Sequence, residues 1–281
     1  IDGITGSHRF FSKYFSPSFY NFLIASFEIL ALLVLISVIL FWTRRNIVKI
    51  KRFLSNEMKG WPKFDADNIL YFEIVLMLLF LSMNATDLIL QERNFEGYYK
   101  AGSFPVSSLM VPLFDSFTTS TVYVFERVFW WLHIIGIFFF LNYLYYSKHL
   151  HILLAFPNTY FANLESKGKF GVLESVRNEV LLMFYPEKAS ESNSEIDKFG
   201  ASDVLDLNWV QLMNAYSCTE CGRCTSECPA NLTGKKLSPR KIMMDTRDRL
   251  EKVSKNITIN KGKFVDDGDR LLDNYISKEE L

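Results

Sequence analysis

Histidine and cysteine are both scarce, at four each in 281 residues, and every cysteine lies between positions 218 and 228. That crowding excludes a disulfide framework spread over the chain and points to a metal site in a reducing compartment. Charge of one sign is lacking too. Lys plus Arg and Asp plus Glu both number 31, so no global bias favours nucleic acid. There is no internal repeat and no glycine-rich loop that would cradle a phosphate. The chain opens on Ile1 rather than Met, and the expectation is a segment of a longer product.

Apolar and aromatic residues are abundant. Hydrophobic residues make up 49%, and 26 Phe and 13 Tyr give an aromatic load suited to helices meeting lipid. They are unevenly placed: the long apolar runs fall before about residue 156, and the remainder reads as soluble. Three stretches could cross a hydrocarbon layer of about 30 Å, which takes roughly 20 helical residues. They are expected at about 19–42, 69–90 and 122–147, the third with a register that continues to Phe156, where Pro157 would stop a helix. The loop after the first span carries Arg44, Arg45, Lys49, Lys51, Arg52, Lys59 and Lys63, whereas Gln91–Thr121 carries only Arg93 and Lys100. The basic loop is therefore expected in the cytoplasm, and the third span would deliver everything after Lys148 to the same side.

In the soluble part, residues 186–200 are polar and Ser/Glu-rich and read as a mobile linker. Asp203–Tyr216 has a helical apolar pattern, and Ser238-Pro239 opens a second helix with Ser as cap and Pro at its first position. Cys218-x-x-Cys221-x-x-Cys224-x-x-x-Cys228-Pro229 lies between them. Three thiolates at two-residue gaps can converge on one iron–sulfur cube, and in two-cluster ferredoxins the fourth, before proline, ligates the other cluster. A structural zinc site prefers two CxxC pairs separated by a longer loop. With no fifth cysteine, either all four close one [4Fe–4S] cluster or a second motif lies beyond Leu281, and the second arrangement is favoured.

The stretch CTECGRCTSECPANLTGKKLSPRKIMMDTRDRL resembles the two-cluster ferredoxin module of heterodisulfide-reductase-related proteins. WWLHIIGIFFFLNYLYYSKHLHILLAFPN resembles the membrane subunit of the nitrate reductase gamma and heterodisulfide reductase family. The fusion of the two is similar to membrane-bound (Fe–S)-binding proteins of Bacteroidetes-like bacteria. The resemblance implies a further transmembrane helix before Ile1 and a second cysteine motif after Leu281. The expected fold is all-α: a membrane bundle (1–157), a cytoplasmic connector and linker (158–200) and a small helical ferredoxin-type iron–sulfur domain (201–281). It also implies a bacterial inner-membrane electron-transfer subunit, linked to quinone and to a cytoplasmic redox protein. That partner would be a cysteine-rich heterodisulfide-reductase-type subunit or an electron-transferring flavoprotein. A non-catalytic membrane anchor is the rival reading, and a redox sensor would need a signalling or DNA-binding segment, which is not visible.

The membrane subunit of that family is cytochrome b-type, with histidines ligating b haems, so the resemblance makes His133 and His149 candidate haem ligands. On a straight helix their 16-residue separation spans about 24 Å with a rotation of about 160°, so they cannot share one haem. Neither earlier span contains a histidine to pair with them. The plainer reading has His133 hydrogen-bonding a neighbouring helix, with His149 and His151 among headgroups. Glu28, inside the first span, is a candidate for proton or quinone work or a carboxyl bonded to another helix. Glu73, Asp87 and Glu126–Arg127, nearer span ends, are expected to snorkel, Asn84 to bond between helices, and Trp130 and Trp131 to pack.

Overall fold

A computed structural model of the chain describes residues 8–166, 168–169, 171, 173–186 and 200–281. The linker expected at 186–200 lies, apart from its ends, outside the described residues. Among the described residues the structure is all-helical with no β-strand. It divides into two compact units, Ile1–Ser147 and Lys148–Leu281.

The first unit is built on three long helices: α1 (Pro17–Asn46), α2 (Trp61–Glu92) and α3 (Thr119–Leu144). All three are long and apolar enough to cross a membrane. Each is longer at its start than the sequence pattern indicates, and side-chain caps set that boundary in α1 and α3. Ser16 caps α1 by accepting from Phe19 N at 3.4 Å, with Pro17 at the first position. Thr118 caps α3 by accepting from Thr121 N. The third helix stops at Leu144 rather than 147, and does not run on to Phe156. A turn and a short 3-10 segment, Lys148–Leu150, intervene before α4 (His151–Tyr160), which contains Pro157 inside it.

Helix α2 packs against both α1 and α3. At the α2–α3 contact, a Cβ on Gly136 would come within 2.8 Å of Leu76 Cδ2, so the absence of a side chain permits the close approach. The outward faces stay apolar: Phe22, Leu30, Leu33, Phe138, Phe139 and Leu141 are all exposed. Against water such a surface would be unfavourable by about 25 cal/mol per Å². Hydrocarbon removes that penalty and demands instead that backbone groups be satisfied internally, which helices do.

Polar contacts sit at the two ends of this bundle. At one end Asp67 accepts from Lys63 at 2.6 Å and Asn46 at 3.1 Å, and Arg45 lies 3.3 Å away. Nearby, buried Asp65 accepts from Tyr143 Oη at 2.6 Å, joining α2 to α3. The other end holds the Gln91–Thr121 connection, where Arg93 bonds Phe117 O at 2.9 Å and the Asp115 carboxylate at 2.9 Å. Gly102, at φ +97°, donates its N–H to Asn21 Oδ1 at 3.0 Å in a conformation that a side chain would strain.

The second unit contains α4, α5 (Glu174–Phe184), α6 (Trp209–Tyr216) and α7 (Pro239–Ile259). Asp203–Tyr216 is two pieces rather than one helix. A 3-10 turn at Val204–Asp206 ends at extended Leu207, and Asn208 opens α6 through a capping box with Gln211. The α7 start matches its sequence signature, with Ser238 accepting from Lys241 N at 3.3 Å. Val204, Val253, Leu271 and Ile276 form the core, backed by Leu212, Ile242 and Leu250.

Beside that core lies Arg249, with 0% of its side chain exposed. Its Nε and Nη2 donate to the two Asp203 oxygens at 2.9 and 2.8 Å, Nη1 donates to Asp267 at 2.6 Å, and Nη2 also reaches Asp269 O at 2.8 Å. Burial alone would raise the Asp203 carboxyl, but the Arg249 bonds hold it below the usual carboxylate range. A depressed acid contributes stability above its unfolded value, near pH 3.9, and that stability is lost as pH falls through the folded value. Replacing Arg249 by Met strands two carboxylates and should destabilise the second unit by about 3–5 kcal/mol at neutral pH. Chemical denaturation of the purified full chain measures this, and the gap to wild type should narrow below about pH 4. A variant as stable as wild type would contradict the role assigned to Arg249.

Candidate functional site

The cysteine run forms a loop between α6 and α7. Tyr216 closes α6, and Cys218 N still bonds Ala215 O at 3.3 Å. The chain then turns through Glu220 at φ +56° and Gly222 at φ +74°, two left-handed positions that let the loop curl within four residues. Cys224 lies in a single helical turn, Arg223–Ser226, and Cys228 caps another, Pro229–Leu232, with its proline at the first position. The loop is fixed to α7 through Thr225, whose Oγ1 pairs with Ser238 Oγ at 3.1 Å and accepts from Arg240 N at 3.1 Å.

None of the four cysteines is in a disulfide; Cys224 is exposed and the others are partly buried. Glu220 N–H points at Cys218 Sγ at 3.4 Å, the kind of contact that favours a thiolate. Burial nonetheless pushes the Cys218 thiol up, so metal binding there would release a proton. Among the described residues no three His, Cys, Asp or Glu side chains converge closely enough to hold a metal ion. The donor set, the spacing and the curled backbone suit an iron–sulfur cluster in their chemistry, while the sulfurs are not drawn together around one.

Between the first two cysteines, Glu220 is 2% exposed. It is held by Arg247 Nη2 at 2.6 Å and by Lys148 Nζ. This buried ion triad anchors the loop to the middle of α7 and to the first residue of the unit. Neither this triad nor Arg249 is legible in the sequence, where the one signal is an acid placed inside a CxxC spacer.

His149 falls in the 3-10 segment beyond α3, so the straight-helix separation from His133 does not apply. Its ring lies 5.6 Å from that of His151, whose Nδ1 meets Lys148 O at 3.0 Å. His133 is on α3, in the other unit, with Nδ1 3.0 Å from Leu76 O. A carbonyl can only accept, so Nδ1 carries the proton and Nε2 keeps its lone pair.

Glu28 is fully buried among donors. Asn84 Nδ2 reaches it at 3.1 Å, Val106 N at 2.9 Å and Ser107 N at 3.1 Å, with Ser107 Oγ closing the set. Its carboxylate thereby joins α1, α2 and the segment at 106–107. Asp87 does not snorkel. It is 2% exposed and accepts from His8 Nε2 at 2.7 Å, Arg9 Nε at 2.9 Å and Gln91 Nε2 at 3.3 Å, because the segment before α1 folds back and brings His8 and Arg9 to the carboxylate. Arg9 also donates to Asn84 Oδ1 at 3.1 Å, which links the two acids in one network. Glu126 is likewise buried, accepting from Tyr98 Oη at 2.8 Å and from Arg127.

These features, three apolar helices joined to a unit carrying a four-cysteine loop, coincide with sequence similarity to iron–sulfur oxidoreductases. Over 231 residues, 82% of the chain, it is 31% identical to the Bacillus subtilis protein named "Probable iron-sulfur-binding oxidoreductase FadF", covering 29% of that protein. It is 28% identical over 142 residues, half of the chain, to the "EtfAB:quinone oxidoreductase" of Syntrophomonas wolfei, covering 17% of it. A third relative, the "Probable membrane-anchored ferredoxin" of Chromohalobacter salexigens, is 34% identical over 58 residues, 21% of the chain and 9% of that protein. The chain thus spans less than a third of the length of each of these relatives. No protein-family model and no solved structure matches it.

Replacing Glu28 by Leu should leave the Val106 and Ser107 N–H groups and the Asn84 amide without their acceptor. Each orphaned buried donor costs about 1–3 kcal/mol. Thermal unfolding in lipid nanodiscs should drop accordingly, and an unchanged midpoint would show that Glu28 is not a structural junction.

Proposed function

We propose that the chain is the membrane-anchored electron-transfer part of an oxidoreductase, carrying electrons between a cytoplasmic redox protein and the quinone pool. The observation that supports it best is the curled loop of Cys218, Cys221, Cys224 and Cys228, none in a disulfide, in a chain similar to iron–sulfur oxidoreductases. These cysteines are the ligands in this reading, with Cys228 either closing one [4Fe–4S] cluster or serving a second. A bound cluster would supply a one-electron carrier. The residues' own part is to hold it. Glu220, clamped by Lys148 and Arg247, fixes the spacer between two ligands, and Thr225 pins the turn carrying Cys224 to α7.

His133 suits an axial ligand to a b haem in one respect: its Nδ1–H is tied to a backbone carbonyl, the second-shell arrangement that orients Nε2 toward a metal. His149 is the second candidate haem ligand. The basic residues of Arg44–Lys63 favour an inner-membrane orientation with the second unit in the cytoplasm. The partner there would be a heterodisulfide-reductase-type subunit or an electron-transferring flavoprotein, the latter in keeping with the name of the Syntrophomonas relative. With Glu28 saturated by donors, its part in this reading is structural rather than proton-carrying.

The test is EPR and visible spectroscopy of the purified full chain, reduced first with a quinol and then with dithionite. An iron–sulfur signal under quinol is expected, lost with its iron in Cys218→Ser. Silence under both reductants would favour a non-catalytic anchor.

A further inference from the structure

Helix α4 carries an apolar face that no described residue covers. One side of the helix packs on α6, where Phe161, just past its end, meets the Trp209 ring edge-on at 4.6 Å. On the other side Ile152, Phe156 and Tyr160 recur every four residues with Leu153 beside them, which makes a single stripe. All four are exposed, Phe156 at 78% and Tyr160 at 80%. Water against that stripe costs about 25 cal/mol for each Å² left uncovered, so the helix has two apolar sides and only one neighbour. An exposed stripe of this kind marks a contact surface.

The course of the chain decides what lies against it. Tyr143 bonds buried Asp65 at a polar end of the bundle, so α3 leaves the hydrocarbon at that level. Tyr145 and Tyr146 follow, both exposed, in the manner of the aromatic belt at a membrane interface. Only residues 145–150 separate α3 from α4, and they are not extended. Tyr146 N and Ser147 N bond back to Tyr143 O and Leu144 O at 3.0 and 3.2 Å, and Lys148–Leu150 is 3-10. Turns of this kind rise about 2 Å per residue, so the connection advances by about 12 Å. The polar layer of a leaflet extends about 5–8 Å beyond the hydrocarbon. Chain length alone therefore starts α4 at the level of the headgroups. Helices that lie in this layer have the same make-up, an apolar stripe rich in bulky side chains on a short segment.

We propose that α4 is a lipid-surface anchor, lying in the plane of the leaflet that α3 leaves, with Ile152, Leu153, Phe156 and Tyr160 set among phospholipid glycerol and upper acyl groups. The opposite side stays on α6, which ends at Tyr216, two residues before Cys218. The lipid contact thus reaches the cysteine loop through one helix. The attachment needs neither a bound cluster nor a quinone, and it stands apart from the function proposed above.

The test uses the full chain in nanodiscs of phosphatidylethanolamine and phosphatidylglycerol, with the photoreactive residue p-benzoylphenylalanine in place of Phe156 or, separately, Tyr160. After irradiation, intact-mass spectrometry should show the chain heavier by one phospholipid. The yield should be comparable to that from the same replacement at Phe139, which is exposed on the apolar face of α3. Adding Leu153→Glu and Phe156→Glu should abolish the lipid adduct at position 160 and leave the one at 139 unchanged, which shows that the bundle is still folded in the disc. Lipid adducts at 139 but not at 156 and 160 overturn the anchor. So does a crosslink at 156 or 160 that joins two copies of the chain instead, or a lipid adduct at 160 that survives the double replacement.

Discussion

A carboxylate removed from water must find its donors within the chain, and the architecture of both units turns on that constraint. Glu28, Asp87, Asp203 and Glu220 are all buried, and each is met by two or more donors from other segments. An isolated buried charge would cost far more than any apolar contact returns. Partnered, each becomes a fixed point that only one arrangement of helices satisfies. In the bundle Asp87 sits near a helix end and Glu28 inside the first span, both turned inward, which leaves the outer faces apolar for lipid. In the second unit Glu220 lies within the cysteine loop and Asp203 before it.

The cysteine loop depends on this framework more than on its own length. Eleven residues with two left-handed turns carry little apolar burial, so their position is set by attachments: Glu220 to Arg247 and Lys148, Thr225 to Ser238 and to Arg240 N. Behind them Arg249 ties α7 to Asp203 and to the Asp267–Asp269 segment. The chain from sequence to site therefore runs through arginines on α7 rather than through the cysteines themselves.

What could be read from the sequence is what short-range patterns encode. Three apolar runs, the Ser238-Pro239 cap and the cysteine spacing all act within a few residues, and the helices and loop occur where those patterns lie. The long-range pairings could not be read. Arg249 and Asp203 are 46 residues apart, Arg9 and Asp87 78, Ser107 and Glu28 79. For that reason Asp87 and Glu126 look like snorkelling end residues until their partners are seen. The break after Leu144 is not legible because the turn residues Tyr145–Ser147 continue the aromatic, helix-compatible pattern, and Pro157 stands inside α4 rather than ending it.

The central claim is that the 218–228 thiols hold iron and sulfide on this framework. X-ray absorption at the iron edge of the anaerobically purified full chain tests it most directly. The account predicts sulfur as the nearest neighbour of iron with a second iron close behind it, and loss of both in a chain with all four cysteines changed to serine. Zinc in place of iron, or an iron signal that survives that replacement, would contradict it.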